Sequence, residues 1–242
     1  MALLRTLWFY TVLLVVSLVL CTIWLVISPF TMLTVDRNRH IGHAMSTLWA
    51  RIIIGMQPWW KIRVEGRDRL APPGEAVVYV ANHRHEADIL VLFLLRTRFR
   101  WLSKRSVFYV PFIGWSMYAT GYVGVTRGSH KSHAASKRHS LEILSRDVPM
   151  LFFPEGTFGQ AKELAFKQGA FRVAQEAGVP VQPIVTRGTD ELFRGKSVLP
   201  ARVDIRILDR VDTAGRSAAE VSEDCRETMA AALRELRGKG PE

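Results

Sequence analysis

Cysteine is nearly missing from this chain: only Cys21 and Cys225 occur in 242 residues. Cys21 lies in an apolar run and Cys225 in a polar stretch near the end. No disulfide is expected, and a zinc site is excluded on thiol count. Charge is missing between Arg5 and Asp36, a stretch of 30 positions. Roughly 20 apolar residues suffice to cross hydrocarbon. A cleaved signal peptide has an apolar core of about 7–15 residues and small residues at its cleavage site. This run is too long for that, and Leu20 before Cys21 does not suit a lipoprotein site. A retained N-terminal membrane helix is expected. Internal repeats, low-complexity tracts and aromatic–basic nucleic-acid motifs are also lacking, so no nucleic-acid partner is expected.

What is present is positive charge. The formal net charge is +11 and the pI is about 10.2, which favours anionic partners. The apolar N-terminal run points to lipid headgroups rather than nucleic acid. With 48% hydrophobic residues and a mean hydropathy of +0.08, the chain is neither a disordered tail nor a polytopic transporter. Behind the apolar run, Arg37, Arg39, Arg51, Lys61 and Arg63 outnumber Asp36 and Glu65. By the positive-inside rule, the rest of the chain is expected on the cytoplasmic side of an inner or plasma membrane.

Ile41, Ala44, Met45, Leu48, Trp49, Ile52, Ile53 and Met56 follow the i, i+3, i+4, i+7 pattern of one helical face. Trp59 and Trp60 follow at its end. This is either an amphipathic helix on the bilayer or a core-packing helix, and its adjacency to the first run favours the bilayer. Residues 1–60 are thus expected to be membrane-anchoring helices. Residues 61–242 are expected to form one α/β domain, a mixed sheet flanked by helices. Strands are predicted at Lys61–Val64, Ala76–Ala81, Arg100–Ser103, Gly121–Val125, Val148–Phe153, Val181–Val185 and Val203–Leu208. Helices are predicted near Ala87–Leu95, His130–Ser145, Lys167–Ala177 and Ala218–Arg237.

Two short strings carry the chemistry. Asn82 and His83 follow an apolar strand, and Asp88 opens the next helix. Residues five apart do not share a helical face. His83 and Asp88 can meet only if His83 sits before the helix and the chain turns back. Asp88 then holds one imidazole nitrogen, and the other is a base aimed at the strand's carboxyl end. That is a base–orienter pair without a serine nucleophile. The bland alternative is a histidine that caps the helix. The second string, Pro154-Glu155-Gly156-Thr157, turns sharply after the apolar Met150–Phe153 run. A carboxylate there can bond a polyol hydroxyl, and the N–H groups of the turn can hold an anion. A solvated tight turn is the bland alternative.

With these strings in order, the chain resembles the glycerolipid acyltransferase family typified by bacterial 1-acylglycerol-3-phosphate acyltransferase. The family's Asn-His-x-x-x-x-Asp block is matched by Asn82, His83 and Asp88. Its second block is matched by Gly121 to Arg127, its Phe-Pro-Glu-Gly-Thr block by Phe153 to Thr157, and its Val-Pro-x-x-Pro strand by Val179 to Val185. The segments around Lys104 and Lys167 are similar as well. The resemblance implies a glycerolipid acyltransferase-like fold. It also implies transfer of a fatty acyl group from a thioester to a lysophospholipid hydroxyl, most of all from 1-acylglycerol-3-phosphate to phosphatidic acid. His83 and Asp88 are then catalytic. Asn82, Lys104, Arg127, Glu155, Gly156, Thr157 and Lys167 are substrate-binding. The co-substrate is acyl-CoA or an acyl carrier protein thioester, with no metal or other cofactor.

Two departures bear on the substrate. Phe158 stands where the family usually has an arginine, which removes a bidentate phosphate fork. His85 and Glu86 replace residues that are usually small or neutral. A lysolipid with another headgroup, or a lipid-binding protein without catalysis, are the alternatives. His83-x-His85 with Asp88 also resembles the start of a metallo-hydrolase motif. Ile89 then stands where that motif needs a histidine, so no metal site is expected.

Overall fold

The computed structural model describes residues 1–156 and 165–238. Two N-terminal helices, α1 (Ala2–Thr34) and α2 (His40–Gly55), precede strand β1 (Trp60–Glu65). The chain continues through β2 (Val78–Ala81), α3 (Ala87–Leu92), β3 (Arg100–Lys104), α4 (Ile113–Thr120) and β4 (Val123–Val125). It then forms α5 (His130–Leu144), β5 (Met150–Phe152), α6 (Gly169–Ala177) and β6 (Val181–Arg187). A short hairpin of β7 (Phe193–Arg194) and β8 (Ser197–Val198) leads to β9 (Ala201–Ile207) and α7 (Ala218–Gly238).

Seven strands make one sheet in the order β1-β9-β6-β2-β5-β3-β4. β6, β2, β5, β3 and β4 are mutually parallel. β9 runs antiparallel to β6 and carries β1 parallel to itself. The sheet is therefore mixed, as expected. β2 is central and buried at all four positions, so it reads as a continuous apolar run rather than an alternation. Because side chains alternate across a strand, neighbouring residues join different cores. Tyr79, Ala81, Leu151, Ile184 and Ile205 pack toward α2 and α3. Val78, Val80, Met150, Phe152, Val181 and Val185 pack toward α5, α6 and α7. The result is a three-layer sandwich whose five parallel strands end along one edge.

Local chemistry sets several boundaries. Ser217 and Glu220 form a capping box at the start of α7: the Ser217 N–H donates to Glu220 Oε2 at 2.8 Å and the Glu220 N–H to Ser217 Oγ at 3.3 Å. Ser129 caps α5 by accepting from the Ser132 N–H. Gly178, at φ +66°, ends α6.

All seven strands and all four helices predicted for the domain are present, with strand ends shifted by up to two residues in either direction. The α4 helix and the β7–β8 hairpin were not predicted. Gly114 lies inside α4, and Phe112 before it has φ +61°, so no apolar period marks this segment. Gly114 is there for space, since a Cβ would lie 2.5 Å from the Val107 and Phe108 carbonyl oxygens.

α1 is long and apolar enough to cross a membrane, with a mean hydropathy of 2.6 over its most apolar window. At 1.5 Å per residue it extends about 50 Å. One side packs on the rest of the chain. Phe9 touches Trp60 and Phe193, each at 5.3 Å between ring centroids. Trp8 Nε1 donates to the Met56 carbonyl at 2.8 Å and Trp49 Nε1 to Ser17 Oγ at 2.9 Å. The other side exposes Leu4, Leu14, Val26, Phe30 and Leu33.

The stripe predicted for α2 is not its packed face. Ile53 is buried, but Leu48 and Met56 are exposed, while Gly42, His43, Ala50 and Ile54 turn inward. Small residues form the contact: a Cβ at Gly42 would meet the Trp24 ring at 2.5 Å. A pattern read from large side chains misses such a face, and Ala44, Leu48 and Met56 of the predicted stripe lie exposed beside Arg51.

Candidate active site

β2 delivers Asn82 to the edge where the parallel strands end. Asn82 is fully buried and exchanges two hydrogen bonds with the Thr186 backbone on β6. Its Nδ2 donates to the Thr186 carbonyl at 2.9 Å, and its Oδ1 accepts from the Thr186 N–H at 2.7 Å. The side-chain amide thus extends the β2–β6 ladder by one rung and fixes where the next loop begins.

That loop turns back on itself as the spacing required. His83 Nδ1 lies 2.9 Å from Asp88 Oδ2. The same oxygen accepts the N–H groups of Arg84 at 2.7 Å and His85 at 2.9 Å. The second carboxylate oxygen accepts from Thr186 Oγ1 at 3.2 Å. A buried carboxylate surrounded by donors makes Nδ1 the protonated nitrogen, which places the basic lone pair on Nε2. Asp88 is fully buried, while 16% of the His83 side chain remains exposed. The His83 ring also stacks on Phe153, with centroids 4.1 Å apart and planes 20° apart. Torsion of the imidazole is therefore limited from two sides.

The second string meets the first. Glu155, carried past the end of β5, accepts the His83 N–H at 3.2 Å. Burial pushes its carboxyl above the ordinary carboxylate range, against the lowering effects of that hydrogen bond and of the His83 and Arg84 charges. Gly156 turns at φ +76°, a conformation that favours glycine. Arg127 Nη2 donates to its carbonyl at 2.9 Å. The Lys167 ammonium lies over its α-carbon, where a Cβ would approach Nζ to 2.9 Å. Two cations from separate loops thus converge on one turn.

Of the candidate residues, Asn82, His83, Asp88, Glu155, Gly156, Arg127 and Lys167 form this connected cluster. Lys104 stands exposed at the end of β3 on the same edge, without a side-chain hydrogen bond to the others. Thr157, and Phe158 after it, lie outside the described residues. Glu155 is turned toward the His83 backbone, so it holds the loop of the base as well as facing the crevice.

Two positioning residues escaped the sequence reading. Thr186 lies 98 positions from Asp88, and nothing local marks it. Phe153 opens the matched Phe-Pro-Glu-Gly-Thr block, but its stacking on His83 has no local sequence signal. Arg84 and His85 have links to the other side of the crevice: Arg84 pairs with Asp190 at 3.7 Å, and the His85 ring stacks on Phe193 at 5.2 Å.

Among the described residues no nucleophilic side chain is hydrogen-bonded to the base, which suits direct attack by a substrate hydroxyl. Residues 61–187 match the Acyltransferase family, which spans the site from β1 to the end of β6. A 1-acyl-sn-glycerol-3-phosphate acyltransferase of Chlamydomonas reinhardtii is 35% identical over 238 residues, covering 96% of this chain and 70% of the relative. A chloroplastic 1-acyl-sn-glycerol-3-phosphate acyltransferase of Arabidopsis thaliana is 32% identical, covering 85% of this chain and 58% of the relative. The crystal structure of the 1-acyl-sn-glycerophosphate acyltransferase of Thermotoga maritima superposes with a TM-score of 0.82 at 23% identity, over 100% of this chain and 98% of that one. Its similarity shows the fold. Together with the family match, the relatives show that this chain belongs to the acyltransferase family.

Proposed function

We propose that the chain moves a fatty acyl group from an acyl thioester to the free hydroxyl of 1-acylglycerol-3-phosphate, giving phosphatidic acid. The observation that carries this reading is the His83–Asp88 pair, held at the strand-end crevice beside a turn flanked by cations. His83 Nε2 takes the hydroxyl proton as the oxygen attacks the thioester carbonyl. Asp88 stabilises the imidazolium that forms. The tetrahedral adduct then collapses, the C–S bond breaks, and the thiolate leaves with the proton returned from His83. A thiol with a pKa of about 8.5 is a far better leaving group than an alkoxide. No covalent enzyme intermediate, metal or redox cofactor enters this sequence. Lys104, Arg127 and Lys167 supply positive charge for the acceptor's phosphate, and Glu155 with Gly156 and Thr157 borders its glycerol.

The acyl donor in this reading is acyl-CoA or an acyl carrier protein thioester. The apolar outer face of α1 supports membrane association, and both the acceptor and its product reside in a bilayer. The excess of Lys and Arg after α1 favours the cytoplasmic side of an inner or plasma membrane.

Phe158 supports a second reading, in which the acceptor carries another headgroup, because it lacks the guanidinium fork expected there. The test is acyl transfer by the detergent-purified chain from palmitoyl- and oleoyl-CoA to a panel of lysolipids. Wild type is run beside His83→Ala. Transfer to lysophosphatidic acid, lost by about 10³-fold or more in the variant, is the expected result. Transfer to another lysolipid alone selects the second reading. Full activity in the variant overturns the mechanism.

A further inference from the structure

The helices on the two faces of the sheet expose different chemistry. Every exposed large apolar side chain among the described residues falls within residues 1–56 or 109–118, in or beside α1, α2 and α4. α5 lies on the opposite face, with α6 and α7. It closes a long acid-free stretch: between Asp88 and Glu142 the sequence has no Asp or Glu and nine Lys or Arg. Lys131, Lys137 and Arg138 are exposed on α5. Lys137 pairs with Glu176 of α6. Lys131 and Arg138 have no acid within ion-pair distance among the described residues.

This cationic face is joined to the candidate active site. Arg127, which donates to the Gly156 carbonyl, lies two residues before the Ser129 cap of α5. The helix therefore begins at the crevice and runs away from it on the side opposite the exposed apolar residues.

We propose that the exposed face of α5 docks an acidic acyl carrier protein, the acyl donor. The inference rests on the acyl-thioester reading above and gives the donor its own surface. A thioester borne on a phosphopantetheine arm keeps its anionic carrier at a distance from the reacting carbonyl. A docking surface is therefore needed beside the crevice rather than within it. From Lys131 to Arg138 the cations are spread over about 10 Å of helix. The residues between them include the small Ser132, Ala134 and Ala135, which leave an open convex surface. Such a surface suits an acidic protein better than a nucleotide, which would need an aromatic or enclosed site for its base. Among the described residues the exposed Trp and Tyr rings lie on the other face of the sheet, and α5 adds only the exposed imidazoles of His130, His133 and His139. Charge complementarity of this kind governs encounter and weakens with salt.

The test uses the full-length chain in detergent with one acceptor, lysophosphatidic acid, and two donors, palmitoyl-acyl carrier protein and palmitoyl-CoA. Wild type is compared with a Lys131→Glu, Arg138→Glu double variant. The expected result is a KM for the carrier-bound donor raised about tenfold or more at unchanged kcat. The KM for the CoA donor stays within about twofold, and the salt sensitivity of the carrier reaction falls. An unchanged KM for the carrier donor overturns the proposal. So does an equal rise for both donors at unchanged Tm, which would make the face a general anion attractor. Wild-type activity with CoA but none with the carrier overturns the proposal and leaves the reaction standing. Inactivity with both donors overturns the reaction and the proposal together. If the reversal pair fails to fold, Lys131→Gln with Arg138→Gln should give the same donor-selective rise at smaller size, and its absence decides against the proposal.

Discussion

The two helical layers of this acyltransferase solve opposite problems. On one face of the sheet, α1, α2 and α4 bury Phe9, Trp24, Ala50 and Ile53 inward while exposing Leu14, Val26, Trp115 and Tyr118 outward. On the other, α5, α6 and α7 bury Val173, Cys225 and Met229 and cover their outer surface with ion pairs such as Glu142 with Arg146 and Arg216 with Asp224. Such exposed pairs contribute little stability one by one, and they mark a surface made for water. The outer surface of the first layer is apolar. The strand ends that carry His83 and Glu155 lie between the two. The position of the chemistry therefore follows from the sheet, and each layer decides which surroundings its side of the crevice meets.

The strongest way to separate chemistry from layers is Asp88→Asn. An amide cannot stabilise the imidazolium, and it leaves the loop around His83 with a neutral acceptor. We expect a loss of about 10²–10⁴-fold in kcat/KM, with membrane association and detergent solubility unchanged. A loss below tenfold would show that Asp88 only shapes the loop. The next test breaks the first layer alone. Leu14→Glu with Val26→Glu places two charges on the outward face of α1, where burying a charge in hydrocarbon costs about 2.5–3.5 kcal/mol each. Binding to liposomes should fall by more than tenfold while the rate in detergent micelles stays within about threefold. Undiminished liposome binding would mean that this face does not meet lipid.

Much of this arrangement was legible in the sequence. β2 and β5 read as unbroken apolar runs ending in Asn82 and Pro154, so the crevice could be placed at their carboxyl ends. The five-residue gap between His83 and Asp88 demanded a turn before the helix, and that turn is present. Residues tied to the site across space were not legible. Thr186 touches Asn82 across 104 positions, and the β6 residues before it are all buried like it, so no local pattern singles it out. α4 escaped for another reason: Gly114 serves close packing rather than helix formation, and its presence hides the helix.

Thr186 offers a smaller effect that sharpens the same separation. Thr186→Val keeps the shape and the backbone bonds to Asn82 but leaves Asp88 Oδ1 without its hydroxyl donor. An unsatisfied buried acceptor costs about 1–3 kcal/mol. We expect kcat to fall about tenfold with the lysolipid KM unchanged, and Thr186→Ser to recover most of the loss. Equal loss in both variants would make the residue a packing element only.

Glu155 gives the subtlest measurement, because it separates the two functions of one turn. Burial lifts its carboxyl above the usual range, so on acidification it takes up a proton earlier than an ordinary carboxylate would. The neutral acid is a weaker acceptor for the His83 N–H and no longer attracts Arg84. Wild-type kcat/KM should therefore show a few-fold step downward on acidification as the raised Glu155 carboxyl takes up its proton. Glu155→Gln keeps an oxygen for the His83 N–H and cannot titrate. Its profile should lack that step and lie a few-fold below the wild type where the wild-type carboxylate is ionised. If both profiles have the same shape, Glu155 acts on the substrate rather than on the loop that holds the base. The cationic turn around Gly156 would then belong wholly to the acceptor.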